Sequence, residues 1–337
     1  MSNPVLTEAI DRVAGGEDLA ADEAARVLRE VMEGNASEAE TAAFLIGLRT
    51  KGETVQEIAG LAATMRSLAL PVDAGGDLVD TAGTGGGRPT FNVSTTAAFV
   101  AAGAGCRVAK HGNRSATSQC GSADVLEALG ARIDLEPDDV AGCIEAVGFG
   151  FMFAPKHHSA MKHVVPVRKA LGVRTIFNFL GPLTNPAGAR RQVIGVSDHT
   201  KLETLAAALA ELGTEAALVV SSADGLDEFS VSGTTRVVEL RDGRLTIYDV
   251  SPEQVGLEPV TDGAVSAGSP DQNARVLREV LAGKPGTERS LAVLNAAAAI
   301  YVGGRAESLA AGVERAQEAI DSGAAAGVLE GYLERAR

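Results

Sequence analysis

A glycine-rich stretch in the first third of the chain has the composition of an anion-binding loop. Four glycines between Gly83 and Gly87 follow a short apolar segment and precede Asn92, Ser94 and Thr95. Glycine lets a ligand approach the backbone closely, and Asn, Ser and Thr are preferred caps at a helix start. A helix N-terminus behind such a loop offers free N–H groups and a positive dipole end. The stretch therefore predicts an anion site, although it is neither a P-loop nor G-x-G-x-x-G, because Arg88 replaces the third glycine.

A second polar loop follows the next predicted strand, at 107–109. It begins with Lys-His-Gly-Asn at 110–113 and continues with hydroxyl-bearing side chains that include Ser118 and Ser122. Ligand sites in parallel sheets lie at the carboxyl ends of the strands, so we expect both loops to face one crevice with two neighbouring anion sites. A tight turn without a ligand, for the first loop, and a solvated polar loop, for the second, stay open as alternatives.

An adjacent pair of carboxylates, Asp227 and Glu228, follows the predicted strand at 216–220. Hard cations such as Mg²⁺ prefer oxygen ligands, keep several waters and bridge to substrate phosphates. The pair therefore predicts a Mg²⁺ site at the same crevice. Because the chain has 44 acidic residues, a solvated acidic turn is the alternative.

A basic helix is predicted ahead of the helix-breaking pair Gly181–Pro182, and it contains Arg168. Pro166 predicts a kink or a restart in this helix. A planar guanidinium can bind a carboxylate through two parallel hydrogen bonds. Arg168 is therefore the preferred candidate for binding an acidic substrate, with a plain helix stop as the alternative. The nearby histidines at 157, 158 and 163 have no helical zinc spacing, and no G-x-S-x-G elbow supports a serine hydrolase.

The elements that must position these residues change in character near residue 70. Apolar residues recur at helical spacing through 3–69, with breaks at Gly15–Gly16, Gly34–Asn35 and Gly52, which predicts four short helices. After a linker at 71–76, predicted strands alternate with helices, and Asp242-Gly243 joins a hairpin. We predict an α/β fold, with a small all-helical domain at 1–70 and a larger domain at 77–337. The sheet of the larger domain is expected to be mostly parallel with an antiparallel edge.

Composition narrows the classes of function. The 337 residues carry a net charge of −14, which disfavours nucleic acid and anionic membranes as partners and requires local positive groups for an anionic substrate. The three cysteines are odd in number and have no CxxC spacing, so we expect a reducing, cytoplasmic setting without structural zinc. We expect neither a signal peptide nor a membrane span, because no apolar run of the required kind is present.

Taken together and in order, these blocks resemble the anthranilate phosphoribosyltransferase family of the tryptophan pathway. The likeness extends over nearly the whole chain, and the ordered set is specific although no single block is. The matching blocks are Gly-Thr-Gly-Gly at 83–86, Asn-Val-Ser-Thr at 92–95, Lys-His-Gly-Asn at 110–113, the run at 121–130, Asp-Glu at 227–228, and Arg-Thr-Ile-Phe-Asn-Phe-Leu-Gly-Pro-Leu-Thr-Asn-Pro at 174–186.

The resemblance implies a fold shared with nucleoside phosphorylases, in which helices around 160–185 rejoin the small domain and the chain forms a homodimer through its helical part. It implies Mg²⁺ bound by Ser94, Asp227 and Glu228, and anthranilate contacted by Gly83, His111, Asn113, His158 and Arg168. The phosphoribosyl pyrophosphate contacts that it implies are Gly83, Gly86, Gly87, Thr90, Asn92, Val93, Ser94, Thr95, Lys110, His111, Gly112, Asn113, Ser118 and Ser122.

This chain departs from the family pattern in two places. An Asp commonly follows the Gly-Thr-Gly-Gly run, but Gly87 and then Arg88 stand here, and Arg88 would add positive charge near the pyrophosphate. Gln119 and Cys120 occupy positions where small hydroxylic or basic residues are frequent, and neither is assigned to the site.

The chemistry that these groups suit is displacement at a sugar carbon. The anthranilate amine is neutral at pH 7 and needs no strong base, so the difficult step is departure of pyrophosphate through an oxocarbenium-like state. A nucleoside phosphorylase is the second enzymatic interpretation, although it has no use for the block at 174–186. A family-like protein that binds nucleic acid is a third, which a gel shift with single-stranded DNA would separate.

Overall fold

The computed structural model describes residues 2–115, 119–260 and 268–337. It begins with four helices, two of which carry capping boxes: Ser37 and Glu40 form one on the third, and Thr54 and Glu57 form one on the fourth. The hydroxyl of each box accepts from the backbone N–H three residues later, while the glutamate accepts from the cap N–H. The four are α1 (Pro4–Ala14), α2 (Ala21–Met32), α3 (Glu38–Lys51) and α4 (Val55–Ser67).

A seven-stranded sheet follows, in the order β3-β2-β1-β4-β5-β6-β7. The first five strands pair in parallel, and β6 and β7 add antiparallel partners at one edge. The hairpin between β6 and β7 turns at Asp242 and Gly243, both with positive φ, as an Asp-Gly turn of this kind requires. The strands are β1 (Leu78–Gly83), β2 (Arg107–Gly112), β3 (Phe149–Phe153), β4 (Arg191–Gly195), β5 (Ala216–Ser222), β6 (Thr235–Arg241) and β7 (Arg244–Val250).

Helices cover both faces of the parallel strands. Successive side chains along a strand point to opposite faces, so Val193 and Leu218 join one buried cluster while Ile194 and Val219 join another. The remaining helices are α5 (Val93–Gly103), α6 (Ser122–Ala128), α7 (Pro137–Val147), α8 (Ala154–His157), α9 (Val165–Leu171), α10 (Phe177–Leu180), α11 (Leu202–Glu211), α12 (Pro270–Leu281), α13 (Thr287–Val302), α14 (Leu309–Asp321) and α15 (Ala324–Arg335).

The second buried cluster joins the N-terminal helices to later parts of the chain. It contains apolar residues of α1–α4 together with Val164, Val167, Leu180 and Leu183. Arg66 of α4 also donates from Nε to the backbone oxygen of Leu183 at 2.7 Å. The segment at 164–183 therefore packs with the N-terminal helices.

The helix boundaries test the predictions made for Pro166 and for the pair Gly181–Pro182. Pro166 predicts a kink or a restart, and α9 does restart at Val165 after a 3₁₀ turn at Ser159–His163. The interpretation of Gly181–Pro182 as a helix-breaking pair is wrong in part. The apolar residues before the pair form α10, and a 3₁₀ turn continues through Gly181–Leu183, since Phe177 and Leu180 are buried and proline is tolerated in the first helical turn.

The predicted fold class is confirmed: a small helical region stands before an α/β region whose sheet is mostly parallel with an antiparallel edge. The exact division at residues 70 and 77 stays a prediction. Within the described ranges, none of the helices combines the length and the apolar character needed to cross a bilayer.

Candidate functional site

Four strand ends meet at one edge of the sheet and position the candidate site. β1 and β4 end in register, with Gly83 opposite Gly195, β2 ends at Gly112, and β5 ends at Ser222. The glycine-rich loop and the acidic loop follow β1 and β5. The prediction of a loop that begins at Lys110 is wrong in part, because Lys110, His111 and Gly112 are the last residues of β2 and pair with β3, so that only Asn113 follows the strand. All three segments lie at this carboxyl edge, where the Gly85 N–H donates to Asp227 and the Lys110 ammonium donates to the Ser94 hydroxyl.

The glycine-rich loop packs closely against the acidic loop. The N–H of Gly85 donates to Oδ2 of Asp227 at 3.0 Å. A Cβ at Gly195 would lie 1.6 Å from the Asp227 carbonyl oxygen, and one at Gly83 would lie 2.9 Å from Oδ2. A Cβ at Gly87 would lie 2.5 Å from Oδ1 of the same side chain. This close approach explains why the chain has glycine at the position where the family commonly has Asp.

The acidic pair is fixed through its backbone. The hydroxyl of Ser222 donates to the carbonyl of Glu228. Asn295, from α13, accepts from the N–H of Phe229 at 3.0 Å and donates to its carbonyl at 3.0 Å. These hydrogen bonds fix the backbone of the acidic loop to the core, and the two carboxylates lie just beyond the end of β5.

The electrostatics of this pair favour a cation. Burial raises the pKa of Asp227. Burial and then the charge of Asp227 raise the pKa of Glu228 to about 8, partly offset by Lys110 and by the N–H of Ser94. No cluster of three or more acidic, His or Cys side chains suited to a metal occurs among the described residues. Two half-buried carboxylates with few further ligands fit Mg²⁺, which keeps waters and substrate oxygens as ligands.

Helix α5 begins at Val93, beside the glycine loop; Ser94 and Thr95, two of the predicted caps, lie inside its first turn. Its Thr96 N–H donates to the Asn92 carbonyl at 3.0 Å, and Thr95 and Val93 are buried in the core. The Asn92 side chain makes no cap bond. Its Oδ1 instead accepts from Sγ of Cys120 at 3.1 Å and from Nδ2 of Asn273 at 2.9 Å.

Lys110 is a buried cation beside this helix start. It is 1% exposed, and Nζ donates to the Thr81 carbonyl at 2.5 Å and to Oγ of Ser94 at 3.3 Å. Burial lowers the pKa of Lys110, while Asp80 and Glu228 act in the opposite sense. Burial also raises the pKa of Asp80 to about 6. The ammonium thus lies at the site without a direct ion pair to any carboxylate in the described ranges.

Two buried histidines lie next to each other, and His111 lies near the end of β2 at this edge. The rings of His111 and His158 stand 5.1 Å apart, and Nε2 of His158 pairs with the Thr184 carbonyl at 3.1 Å. Burial lowers the pKa of His111 to about 3 and that of His158 to about 4, so both are neutral near pH 7. Nε2 of His111 and Nδ1 of His158 are buried without a described hydrogen-bond partner. Such orphaned groups cost free energy and mark a place for a ligand.

Arg168 lies on α9, over the ring of Phe177 at 5.6 Å. Burial lowers the pKa of Arg168, and its guanidinium has no hydrogen bond or ion pair with the residues that the structure describes. No described contact joins it directly to His111 or His158. The link is indirect: Phe177 begins α10, and the His111 ring meets the backbone of Gly181 just after that helix.

The other predicted residues fall at the same edge or outside the described ranges. The hydroxyl of Ser122 donates to the carbonyl of Asn113 at 3.2 Å and lies against Gly112. The hydroxyl of Thr90 donates to the neighbouring Phe91 carbonyl at 2.9 Å, while Gly86 belongs to the glycine loop. Ser118 lies outside the described residues.

Several contributors are missed by the sequence interpretation. Cys120, which is not assigned to the site there, contacts Asn92 directly. Arg174 donates from Nη1 to the carbonyl of Gly85 at 3.0 Å, and Ser197 donates to the same oxygen at 3.0 Å. Arg174 begins one of the family-like blocks, which is the available signal. Ser197 follows the end of β4. The rule that ligand sites lie at the carboxyl ends of parallel strands, called here the strand-end rule, could therefore have identified it.

Comparisons with known proteins address the same regions. The family described as "Glycosyl transferase family, helical bundle domain" matches residues 7–69. The family described as "Glycosyl transferase family, a/b domain" matches residues 75–326, which is most of the chain.

Individual relatives match over nearly their full length. The anthranilate phosphoribosyltransferase of Rubrobacter xylanophilus is 52% identical over 335 residues, 99% of this chain and 98% of the relative. The crystal structure of the Thermus thermophilus anthranilate phosphoribosyltransferase has a TM-score of 0.92 at 44% identity, with 98% and 99% of the two chains covered. That of Saccharomyces cerevisiae in complex with phosphoribosyl pyrophosphate and Mg has a TM-score of 0.89 at 29% identity, with 99% and 98% covered.

Proposed function

The chain belongs to the anthranilate phosphoribosyltransferase family, and from that premise we propose how its own residues carry out the family's reaction. The reaction moves the phosphoribosyl group of phosphoribosyl pyrophosphate to the amine of anthranilate, within tryptophan biosynthesis. The products are N-(5-phosphoribosyl)anthranilate and pyrophosphate. Within the described ranges, no feature favours a nucleoside phosphorylase or a nucleic-acid binder instead.

One observation carries the proposal: a glycine loop, a buried lysine and a carboxylate pair converge at one sheet edge, beside neutral buried histidines. The glycine loop, the lysine and the carboxylate pair suit a pyrophosphate together with a cation. The histidines and Arg168, which forms no ion pair among the described residues, suit a small aromatic acid, because they combine burial with one positive charge. A protein of net charge −14 thus presents local positive groups for both anionic substrates.

On the donor side, we assign binding of phosphoribosyl pyrophosphate to the glycine loop, the start of α5, the end of β2 and the segment after it. The N–H groups of Gly86 and Gly87 have no described partner and can donate to phosphate oxygens. Lys110 holds positive charge where pyrophosphate gains negative charge as the sugar bond breaks. The remaining donor contacts proposed are Gly83, Thr90, Asn92, Val93, Ser94, Thr95, His111, Gly112, Asn113, Ser118 and Ser122.

Mg²⁺ fits the carboxylate pair, and we propose Ser94, Asp227 and Glu228 as its ligands. Bound there, the ion would neutralise charge on the departing pyrophosphate. The chain's own contribution is to hold two half-buried carboxylates together, which raises the pKa of each and makes a cation the favoured partner.

On the acceptor side, we propose that anthranilate lies among Gly83, His111, Asn113, His158 and Arg168. The histidines are neutral near pH 7, so they neither repel nor protonate the amine that must attack. Arg168 binds the carboxylate and sets the orientation of the ring. Catalysis then rests on alignment of the amine with the sugar carbon and on stabilisation of the leaving group rather than on a strong base.

The assignment of Arg168 can be tested with steady-state kinetics. A hydrogen bond to a charged group contributes about 1.5–3 kcal/mol, so Arg168→Ala should raise the anthranilate KM roughly tenfold to a hundredfold and change the donor KM much less. Arg168→Lys should recover only part, because an ammonium cannot form the planar fork.

Aniline, which lacks the carboxylate, is the matched control substrate. Wild type should use it poorly, and Arg168→Ala should lose little more with it. An effect of Arg168→Ala on the donor KM alone, or equal use of aniline and anthranilate by wild type, would exclude the carboxylate contact.

We also propose a cytoplasmic homodimer that forms through the helical part. Support comes from Val165 and Val173, which are large apolar residues 51% and 45% exposed on the segment that packs with the N-terminal helices, and from three cysteines that are free and buried. Sedimentation should give a mass of about twice the 34.4 kDa of one chain.

A further inference from the structure

The backbone of Gly85 is held on both sides by groups far away in sequence. The Gly85 N–H donates to Asp227, and the Gly85 carbonyl accepts from Nη1 of Arg174 and from Oγ of Ser197, both at 3.0 Å. Gly85 and Gly86 both have positive φ, +66° and +85°, so the loop takes a conformation that few other residues adopt.

Holding this carbonyl also orients the next N–H. In a planar trans peptide the C=O and the following N–H point in opposite directions. With the Gly85 oxygen bound to Arg174 and Ser197, the N–H of Gly86 must point away from them. That N–H and the one of Gly87 make no hydrogen bond within the described part of the chain, and consecutive free N–H groups form an anion-binding nest.

We propose that Arg174 is a positioning residue that orients the Gly85–Gly86 peptide so that its N–H binds the pyrophosphate of the donor. Arg174 packs directly on this peptide, because a Cβ on Gly86 would lie 1.9 Å from its Nη1. Its guanidinium also lies over the ring of Phe179 at 5.7 Å. The proposal rests on the proposed function, since it takes pyrophosphate as the ligand of the loop.

Arg174 also joins two parts of the site. It lies between α9, which contains Arg168, and α10, whose end meets the His111 ring through Gly181. The segment that contains the acceptor residues therefore reaches across 89 positions in sequence to the donor loop. The second terminal nitrogen of Arg174, Nη2, is buried without a described partner, so the bond to Gly85 is the main polar contact that the guanidinium makes in the described ranges.

The test compares Arg174→Gln with Arg174→Lys, with Ser197→Ala as a second variant on the same carbonyl. Arg190→Gln is the matched control, because Arg190 donates from Nε to the Gly213 carbonyl at 3.2 Å at the opposite edge of the sheet. The measurements are the dissociation constant of pyrophosphate by calorimetry in MgCl₂, the two KM values, and the melting temperature.

Arg174→Gln should weaken pyrophosphate binding and raise the donor KM about tenfold, the effect of one charge-assisted hydrogen bond, while the anthranilate KM changes less than about threefold. Arg174→Lys should restore part of the affinity, because an ammonium can still donate to the Gly85 oxygen. Ser197→Ala should have a smaller effect, and Arg190→Gln should match wild type.

Pyrophosphate affinity of Arg174→Gln within twofold of wild type would overturn the proposal, and so would a loss shared equally by both substrates. The proposed function fails separately: wild type would then show no turnover of phosphoribosyl pyrophosphate with anthranilate. The calorimetric comparison still tests Arg174 in that case, because it needs only inorganic pyrophosphate.

Discussion

Two lysines whose side chains are shielded from water have opposite surroundings in this molecule. Lys51, at the end of α3, pairs with Glu57 at 3.0 Å and Asp18 at 2.7 Å, and its side chain is only 5% exposed. Burial alone lowers its pKa, but the bonds to these carboxylates raise the pKa of Lys51 above its ordinary value. Lys110 is at least as buried, yet it makes no ion pair with a described carboxylate, and burial lowers its pKa.

The difference separates a structural ion pair from a site prepared for a ligand. Glu57 also accepts from the N–H groups of Leu19 and Thr54, at 3.0 and 2.8 Å, so the charges in the helical region compensate each other internally. At the sheet edge, buried Lys110 and Asp80 lie near half-buried Glu228, and the pKa of each is moved towards its neutral form. An incoming anion and cation would complete that arrangement.

The largest expected effect comes from removing each lysine. Lys110→Met should lower kcat/KM for the donor by about 10²–10³, as loss of one transition-state donor typically does. It should cost little stability, because Asp80 can take up a proton. Lys51→Met should leave both KM values unchanged but lower the unfolding free energy by about 3 kcal/mol, since buried Glu57 keeps its two backbone N–H partners but loses its counter-charge.

Urea unfolding and steady-state kinetics on both variants check this pair of expectations. Wild-type activity in Lys110→Met would contradict the proposed difference between the two lysines. A clear change in the donor KM of Lys51→Met would contradict it as well.

A smaller effect is expected from the buried histidines, which should make the unfolding free energy depend on pH. The folded-state pKa values of His111 and His158, about 3 and 4, lie below the ordinary value of 6.5. The unfolded chain therefore binds more protons, and stability falls as pH drops below about 6.5. Between pH 7 and pH 5 each histidine should cost about 2 kcal/mol.

The histidine contribution is isolated by comparing wild type with His158→Gln in urea at pH 7, 6 and 5. Wild type should lose about 2 kcal/mol more than the variant over that interval. Asp80 acts with the opposite sign, because its raised pKa favours the protonated folded state below about pH 6, but it is present in both proteins. Exposed His199→Gln is the control, and an equal slope for wild type and His158→Gln would contradict the prediction.

The smallest effect is expected for Arg88, one of the residues that depart from the family pattern. Its side chain is 38% exposed and pairs with Asp224 at 3.2 Å, while its N–H donates to the Gly225 carbonyl at 2.7 Å. Exposed pairs contribute about 0.2–1 kcal/mol, so Arg88→Gln should raise the donor KM less than about fivefold. A rise above roughly tenfold would indicate that Arg88 contacts pyrophosphate directly.

Much of the fold and of the candidate site follows from local patterns. The period of apolar residues predicts four N-terminal helices and the alternating region, and Asp242-Gly243 predicts the hairpin turn. The strand-end rule places the glycine loop, Lys110 and Asp227 at one edge before any contact is known. These predictions succeed because helix caps, turns and strand alternation depend on residues a few positions apart.

The sequence by itself thus determined the family and the chemical character of the loops, because glycine spacing, cap residues and adjacent carboxylates are readable without a fold. Only the tertiary structure decided which distant groups complete them. Asn185 reaches Asp80 across 105 positions, Asn295 holds Phe229 across 66, and Arg174 holds Gly85 across 89. The pKa changes at the site belong to the same class, since burial is a property of packed layers and not of neighbours along the chain.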